Sequence, residues 1–302
     1  MQVQSPSEQL FFSTVLIEAV SQQKQSQGKG TGFIFSYLYK GRDALFLVTN
    51  KHVIANAHTS RFFFTKTQDG QHPLIGHRVD IETDQVWYGH PDPQIDVAVT
   101  PLVPIILQLQ AKQPGNQIFF RSIPSSLMPT DTQLQELDAM EEVTFIGYPN
   151  GIFDEVNLLP ILRKGVSATP LQINYNGQPT FLIDASVFPG SSGSPVFICD
   201  NGGYSQRGNF VVGARVLFLG IISAVFYRSE FGQIELIPIP TAQQHIPGVE
   251  MKQMIDLGVV YKASTVIETI KHCVASMAQI NKASSEKKEL IDSIPLQEGA
   301  EQ

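Results

Sequence analysis

The chain has 302 residues, of which 42% are hydrophobic and 16% are charged, and its net charge is −7. A chain of this length and apolar content buries a sizeable core, and it is long enough for two domains or for one domain built from two halves. The acidic balance argues against a nucleic-acid partner, because such a partner is normally bound by clustered lysines and arginines.

Short segments rich in Val, Ile, Phe and Tyr, many of them bounded by turn residues, occupy most of the chain up to about residue 240. This pattern predicts strands and favours an all-β sandwich or barrel. The predicted strands are 14–20, 31–39, 44–49, 61–65, 95–102, 143–147, 180–187, 195–198 and 216–227.

Two stretches break the strand pattern. The polar stretch 133–142 carries Leu134 and Leu137 three residues apart and suits a short helix or a loop. Apolar residues at helical spacing predict a C-terminal α-helix over 263–280, with Ser264 as a plausible N-cap. The polar residues 281–302 are expected to form a mobile tail. We therefore assign 10–125 to a first β-rich half, 126–250 to a second, and 251–302 to the helix and tail.

The first segment that suggests chemistry is the run from Pro189 to Pro195, which holds two glycines and three serines between two strand-like stretches. A backbone with so few bulky side chains can turn tightly and direct several N–H groups at one point, as an oxyanion hole requires. A serine at its centre can act as a nucleophile when a base accepts its proton. Taken alone, the run is equally well explained as an ordinary hairpin turn.

The second and third segments each hold one ionisable residue at a predicted strand. His52 follows directly after the apolar strand 44–49, where it could be held firmly and still face a cleft. Asp96 interrupts the β-branched run 95–99, and a carboxylate within such a strand needs a hydrogen-bond partner. Taken singly, a structural histidine and a solvated aspartate are the plainer interpretations.

Together these segments resemble the chymotrypsin-like (trypsin-like) serine peptidases, and in particular the bacterial branch that includes the HtrA protease domain. The run LVTNKHV from Leu47 to Val53 is similar to the V-T-N-x-H-V histidine motif of that branch. IDVAV from Ile95 is similar to its aspartate motif, PGSSGSP from Pro189 to its nucleophile motif P-G-N-S-G-G-P, and GTGFI from Gly30 to the strand before the histidine.

The resemblance implies two perpendicular six-stranded β-barrels with a catalytic cleft between them. His52 and Asp96 would come from the first barrel and Ser192 from the second. Ser192 would attack the peptide carbonyl, His52 would carry its proton, and Asp96 would orient the imidazole. The N–H groups of Gly190 and Ser192 would form the oxyanion hole, and no cofactor or metal would be needed.

The same alignment implies the residues that bind substrate. Ile222, Ser223 and Ala224 would pair with the substrate backbone, and together with Ser186 and Phe188 they would line the S1 pocket, which receives the side chain before the scissile bond (P1). None of these residues is acidic, so we expect a small or medium apolar P1 residue. Asp184 is the nearest carboxylate and leaves a basic preference as the alternative.

Some features depart from the family pattern. Ser191 replaces the Asp or Asn before the nucleophile, so activation by N-terminal trimming is not expected. Ser194 replaces a glycine, and no PDZ-like domain fits after Tyr227. The leading interpretation is a serine endopeptidase acting on a protein or peptide. The alternative is a catalytically silent or partner-triggered protein of the same fold, acting as a binding or regulatory module.

The remaining features suggest no second site. His58, His72, His77 and His90 lack the spacing of metal ligands, Cys199 suits a buried thiol, and Arg163 with Lys164 suits a solvated turn. Two cysteines, Cys199 and Cys273, are too few for a disulfide framework. No apolar run approaches the ~20 residues of a membrane span, and residues 1–10 make a poor secretory signal. We therefore expect a cytoplasmic protein without a membrane partner.

Overall fold

The first half of the chain forms one nine-stranded sheet in the computed structural model, which describes residues 3–55, 57–233 and 248–292. Seven strands follow the order β5-β4-β1-β2-β3-β7-β6, while β8 pairs with β4 and β9 with β2. Six of the nine strands have four or more residues, and β6, β8 and β9 are shorter. The strands are β1 Thr14–Val20, β2 Ser26–Tyr39, β3 Arg42–Thr49, β4 Thr59–Thr67, β5 Pro73–Thr83, β6 Tyr88–Gly89, β7 Ala98–Pro101, β8 Gln117–Phe119 and β9 Ile123–Pro124.

The second half forms a closed six-stranded barrel in the order β10-β11-β12-β17-β16-β13. The separate hairpin β14–β15 follows β13 in the chain. The strands are β10 Glu142–Gly147, β11 Ile161–Ser167, β12 Thr180–Asp184, β13 Pro195–Asp200, β14 Gly203–Gln206, β15 Asn209–Val212, β16 Arg215–Gln233 and β17 Gly248–Lys262.

Within the described residues, five α-helices complete the fold: α1 Pro6–Leu10, α2 Lys51–Ile54, α3 Leu102–Lys112, α4 Asp131–Glu136 and α5 Ala263–Asp292. Helix α5 confirms the helix expected from apolar spacing and continues beyond residue 280. Val266, Ile270 and Cys273 on α5 are fully buried. Within the described residues, no helix is long and apolar enough to cross a membrane.

A shared core joins the two halves. Phe218 of β16 packs against Phe33 and Phe35 of β2, with ring centroids 5.4 and 5.6 Å apart, and against Phe197 of β13 at 5.6 Å. The buried face of α5 belongs to the same cluster. Each half also has a core of its own, so three apolar clusters hold the fold, and the shared one contains Ile95 and Val97.

The expected fold class, mostly β with a C-terminal helix, is confirmed. The second half is a closed six-stranded barrel as the resemblance implied, whereas the first half forms a nine-stranded sheet within the described residues. The domain boundaries stay a prediction, although β17 closes the barrel with residues up to Lys262. Residues 293–302 of the expected tail lie outside the described residues, whereas residues 281–292 belong to α5.

Several local predictions were wrong. Ser264 is not an N-cap, because α5 already begins at Ala263, and the strand expected over 180–187 ends at Asp184. The strand expected at 95–102 begins only at Ala98, and Leu102 starts helix α3, whose Leu102, Ile105 and Leu109 are buried at helical spacing. Arg163 and Lys164 lie within strand β11 rather than in a turn, because residues 161–166 of this strand pair with β10.

Candidate active site

His52 lies on α2, a single helical turn that follows β3 directly. Val53 is buried on the same turn, and the ammonium of Lys51 donates to the carbonyls of His90 and Asp92 at 3.1 and 3.0 Å. The imidazole of His52 is about half exposed, at 49%. The short helix is therefore anchored on both sides of His52 while its ring stays accessible.

Asp96 lies in the loop just before β7, and not inside a strand as the sequence suggested. Its neighbours Ile95 and Val97 are buried in the core shared by the two halves. The side-chain amide of Asn50 donates to the Asp96 carbonyl at 2.6 Å. Two apolar anchors and one backbone hydrogen bond therefore fix the position of the carboxylate.

His52 and Asp96 form a hydrogen-bonded pair. The Nδ1–H of His52 donates to Asp96 Oδ2 at 2.5 Å, and the His52 backbone N–H donates to Oδ1 at 3.1 Å. Burial opposes the charge on Asp96, but the hydrogen bonds from His52 and Ser223 outweigh it and lower the pKa of this carboxyl. With Nδ1 protonated, a neutral His52 ring has Nε2 as its proton acceptor.

Ser223 is the second partner of Asp96, and it comes from the opposite half. Its hydroxyl donates to Asp96 Oδ2 at 2.7 Å. The register between β16 and β17 shifts from Ile222 to Ala224, which leaves Ser223 at an irregularity of the ladder. Bulges of this kind redirect a side chain next to functional sites. The sequence analysis had expected Ser223 only as a substrate-binding residue. The feature that could have revealed its contact with Asp96 was a hydroxyl within an apolar strand.

Ser192 lies on the loop between β12 and β13, and it contacts Ser223, the residue that also contacts Asp96. The hydroxyl of Ser192 donates to the carbonyl oxygen of Ser223 at 3.2 Å. Among the hydrogen bonds of the described residues, none joins Ser192 to His52. The structure thus gathers His52, Asp96 and Ser192 around Ser223, with the hydroxyl of Ser192 turned to a backbone carbonyl.

Thr31 of the first half fastens the loop 185–194, which we call the nucleophile loop after the role that the resemblance implies for Ser192. The sequence analysis did not find this contact. Its N–H donates to the Ser192 carbonyl at 2.9 Å, and its hydroxyl donates to the Gly190 carbonyl at 3.0 Å. The same hydroxyl accepts from the N–H of Tyr148 at 3.0 Å. The sequence feature that could have revealed this role of Thr31 was the GTGFI run, in which Thr31 stands between two glycines.

The nucleophile loop depends on two glycines with positive φ. Gly190 has φ +86°, and a Cβ there would lie 2.6 Å from the Tyr148 carbonyl oxygen. Gly193 has φ +89°, and a Cβ there would lie only 1.7 Å from the Thr31 oxygen. No acceptor within the described part of the chain binds the N–H groups of Gly190 and Ser192, the two donors that the resemblance assigns to the oxyanion hole.

The residues expected to line the S1 pocket differ in how deeply they are buried. Ile222 is fully buried in the core of the barrel, Ser186 is half-buried, and Asp184 is exposed at the end of β12. The backbone of Ala224 pairs with Val259. Phe188 is half-buried, and the guanidinium of Arg163 lies over its ring, 4.9 Å from the centroid.

Other candidate chemistry is sparse. No cluster of three or more His, Cys, Asp or Glu residues that could hold a metal ion occurs within 3–55, 57–233 and 248–292. Cys199 and Cys273 are unpaired. Burial is the main reason that the pKa of each thiol is raised, to about 11 for Cys273, which keeps both sulfurs protonated and poorly nucleophilic.

The sequence model of the trypsin-like peptidase domain matches residues 30–203, a segment that contains His52, Asp96 and Ser192. The chain belongs to the trypsin-like peptidase family. A comparison with curated proteins gives no match.

Solved structures of similar fold include the Rv3671c protease from M. tuberculosis in its active form, at 16% identity over 87% of this chain and 81% of that one, with a TM-score of 0.42. The scabies mite inactivated protease paralogue S-I1 matches at 12% identity over 87% and 95%, with a TM-score of 0.44. HL collagenase matches at 13% identity over 72% and 82%, with a TM-score of 0.42. The family assignment rests on the sequence match.

Proposed function

We propose that this trypsin-like peptidase is a serine endopeptidase in which Ser192 is the nucleophile, His52 the general base and Asp96 the residue that orients His52. One observation carries the proposal: three residues selected by sequence motif alone come together around Ser223. His52 Nδ1 and the Ser223 hydroxyl both donate to Asp96 Oδ2, and the Ser192 hydroxyl donates to the Ser223 carbonyl.

The chemistry requires one rearrangement of a hydrogen bond. When a peptide enters, the Ser192 hydroxyl leaves the Ser223 carbonyl and donates to Nε2 of His52, which accepts its proton as the oxygen attacks the peptide carbonyl. Catalytic hydrogen bonds are commonly looser without substrate than with it. The freed Ser223 carbonyl can then accept a hydrogen bond from the substrate backbone.

Acyl transfer follows from the same groups. The new C–O bond of the acyl-enzyme forms as the peptide C–N bond breaks, and His52 returns its proton to the departing amine. Water then attacks the ester with His52 again as base, which releases the acid and restores Ser192. The free N–H groups of Gly190 and Ser192 are suited to stabilise the oxyanion in both steps.

Replacement of the nucleophile tests this function. We expect Ser192→Ala to lose about a millionfold in kcat for peptide hydrolysis and to lose labelling by a fluorophosphonate. The control is Ser205→Ala on β14, whose side chain is exposed; it should keep both. Wild-type hydrolysis by Ser192→Ala, or failure of the wild type to label, would overturn the proposal.

A partner-triggered enzyme is the second candidate, and the bond from Ser192 to the Ser223 carbonyl favours it. In this version a binding partner moves the Ser192 hydroxyl toward His52. The labelling rate then rises when the partner is added, whereas a self-sufficient enzyme labels at the same rate alone. A cytoplasmic location and independence from cofactors and nucleic acids remain predictions of the sequence.

A further inference from the structure

Arg163 is a cation on the inward face of the second barrel. In the register between β10 and β11 it stands opposite Phe145, and residues opposite each other in an antiparallel pair project to the same side of the sheet. Phe145 is 2% exposed and belongs to the barrel core together with Val187 and Ile222. Arg163 therefore projects to the same side as the apolar core.

The Arg163 guanidinium has aromatic neighbours but lacks a complete set of acceptors. Its Cζ lies 5.5 Å from the ring centroid of Phe145 and 4.9 Å from that of Phe188. Its Nη1 is buried, with no hydrogen-bond partner among the described residues. Burial lowers the pKa of Arg163, and the charge of Asp256 opposes this effect only in part. A buried donor without an acceptor is destabilising, so this one calls for an explanation.

Two other arginines of this fold form ion pairs with carboxylates. Arg215, also on the barrel, pairs with Glu141 at 2.7 Å and Asp200 at 2.8 Å. Arg61 of the first sheet pairs with Glu18 at 3.0 Å and Glu82 at 2.8 Å. Arg163 has no such carboxylate within ion-pair distance in the described parts of the chain. Arg215 and Arg61 thus each have two carboxylates, and Arg163 has none. Arg78 and Arg121 also stack on an aromatic ring without an ion pair, but among the described residues only Arg163 has a guanidinium nitrogen that is buried and unpaired.

The position of Phe188 connects this cation to the reaction. Phe188 precedes the proposed oxyanion donor Gly190 by two residues and the proposed nucleophile by four, and it is one of the expected walls of the S1 pocket. A guanidinium on its ring lies beside the space that a P1 side chain would enter. The missing carboxylate can therefore be supplied by the substrate.

We propose that Arg163 determines specificity by binding the carboxylate of a glutamate or aspartate at P1, so that the enzyme cleaves after acidic residues. The planar fork of an arginine matches a carboxylate, and aromatic stacking holds the fork in place. This assignment rests on the proposed peptidase function. It replaces the apolar P1 preference expected from the sequence, which had treated Arg163 as a surface residue.

A peptide library randomised at P1 tests the assignment with purified full-length enzyme. The wild type should cleave after Glu or Asp on the order of 100-fold more efficiently, in kcat/KM, than after Gln or Leu. Arg163→Met should abolish that preference and favour apolar P1 residues, while Arg163→Lys should keep part of it. Lys164→Ala is the matched control: its ammonium pairs with Glu142 on the exposed face, and its loss should leave the profile unchanged.

A binding measurement separates this proposal from the proposed chemistry. Ser192→Ala should bind a peptide ending in Glu at least about 10-fold more tightly than the same peptide ending in Gln, and the added substitution Arg163→Lys should reduce that ratio. Wild-type cleavage mainly after apolar or basic residues overturns the role of Arg163 and leaves the peptidase intact. Absence of both cleavage and fluorophosphonate labelling refutes the peptidase, and equal binding of the two peptides then refutes the acidic pocket as well.

Discussion

The two sides of the candidate site are held in different ways. On the acid–base side, the side chains of His52 and Ser223 converge on one carboxylate, that of Asp96. On the nucleophile side, the loop is held through its backbone: the N–H of Gly193 donates to the Ile222 carbonyl at 2.8 Å, and the Ser192 carbonyl accepts from Thr31. Substitutions on the first side should therefore change chemistry, and substitutions on the second should change geometry.

Removal of the Asp96 charge should produce the largest effect. We expect Asp96→Asn to lower kcat/KM by about 10⁴-fold at neutral pH, because an amide favours the wrong imidazole tautomer. Asp80→Asn on the exposed face of β5 is the control and should have no effect. A loss of less than 10-fold would show that Asp96 does not orient His52. The acid–base side of the site would then not act through the Asp96 carboxylate.

Gly193→Ala should produce the second-largest loss of activity, by displacing the loop and not by removing a reacting group. Its Cβ would meet the Thr31 carbonyl oxygen, so the loop must shift, and a displacement of about 1 Å at a reacting group can reduce turnover about 100-fold. Gly208→Ala separates this clash from backbone strain, since Gly208 has φ +78° with nothing within 4 Å of its Cβ. Equal kcat values for the two variants would contradict the steric explanation.

Ser223→Ala should weaken the link between the halves. Loss of one hydrogen bond to a carboxylate should reduce kcat/KM by about 10-fold and raise the pKa of Asp96. Because the pKa of Asp96 is lowered in the folded protein, its ionised form stabilises the fold above the ordinary aspartate value, and this contribution is lost as the pH falls through the folded value.

Thermal unfolding measured between about pH 3 and 7 tests this relation. In Ser223→Ala the stability lost on acidification should be smaller than in the wild type and should be complete at a higher pH, because the folded pKa of Asp96 then lies closer to its unfolded value. Superimposable unfolding curves for the two proteins across that range would show that the Ser223 hydroxyl does not stabilise the Asp96 carboxylate.

Thr31→Val should produce the smallest loss, mainly in stability. It removes a hydroxyl that donates to the Gly190 carbonyl and accepts from the Tyr148 N–H. We expect a decrease of about 1–3 kcal/mol in the free energy of unfolding. Thr100→Val is a matched control, because the buried Thr100 hydroxyl has no hydrogen-bond partner within the described residues. Denaturant unfolding of both variants gives the difference, and an equal loss would argue against the role of Thr31 in the loop.

Local apolar pattern predicted most of the strands, because alternating apolar residues report burial. His52, Asp96 and Ser192 were selected by the resemblance of their motifs to a known family, since each taken alone had a plainer structural explanation. Features that depend on partners distant in the chain were missed. Arg163 points inward only because β11 pairs with β10 in a register that places it opposite Phe145. The contact between Ser223 and Asp96 likewise requires a bulge in β16 and the approach of the two halves, which no local window contains.

The packing of α5 has a consequence for biosynthesis. Val266, Ile270 and Cys273 complete the core that Phe33 of the first half and Phe218 of the second share. A nascent chain without these residues leaves that core open to water, so the shared core can close only after α5 has left the ribosome.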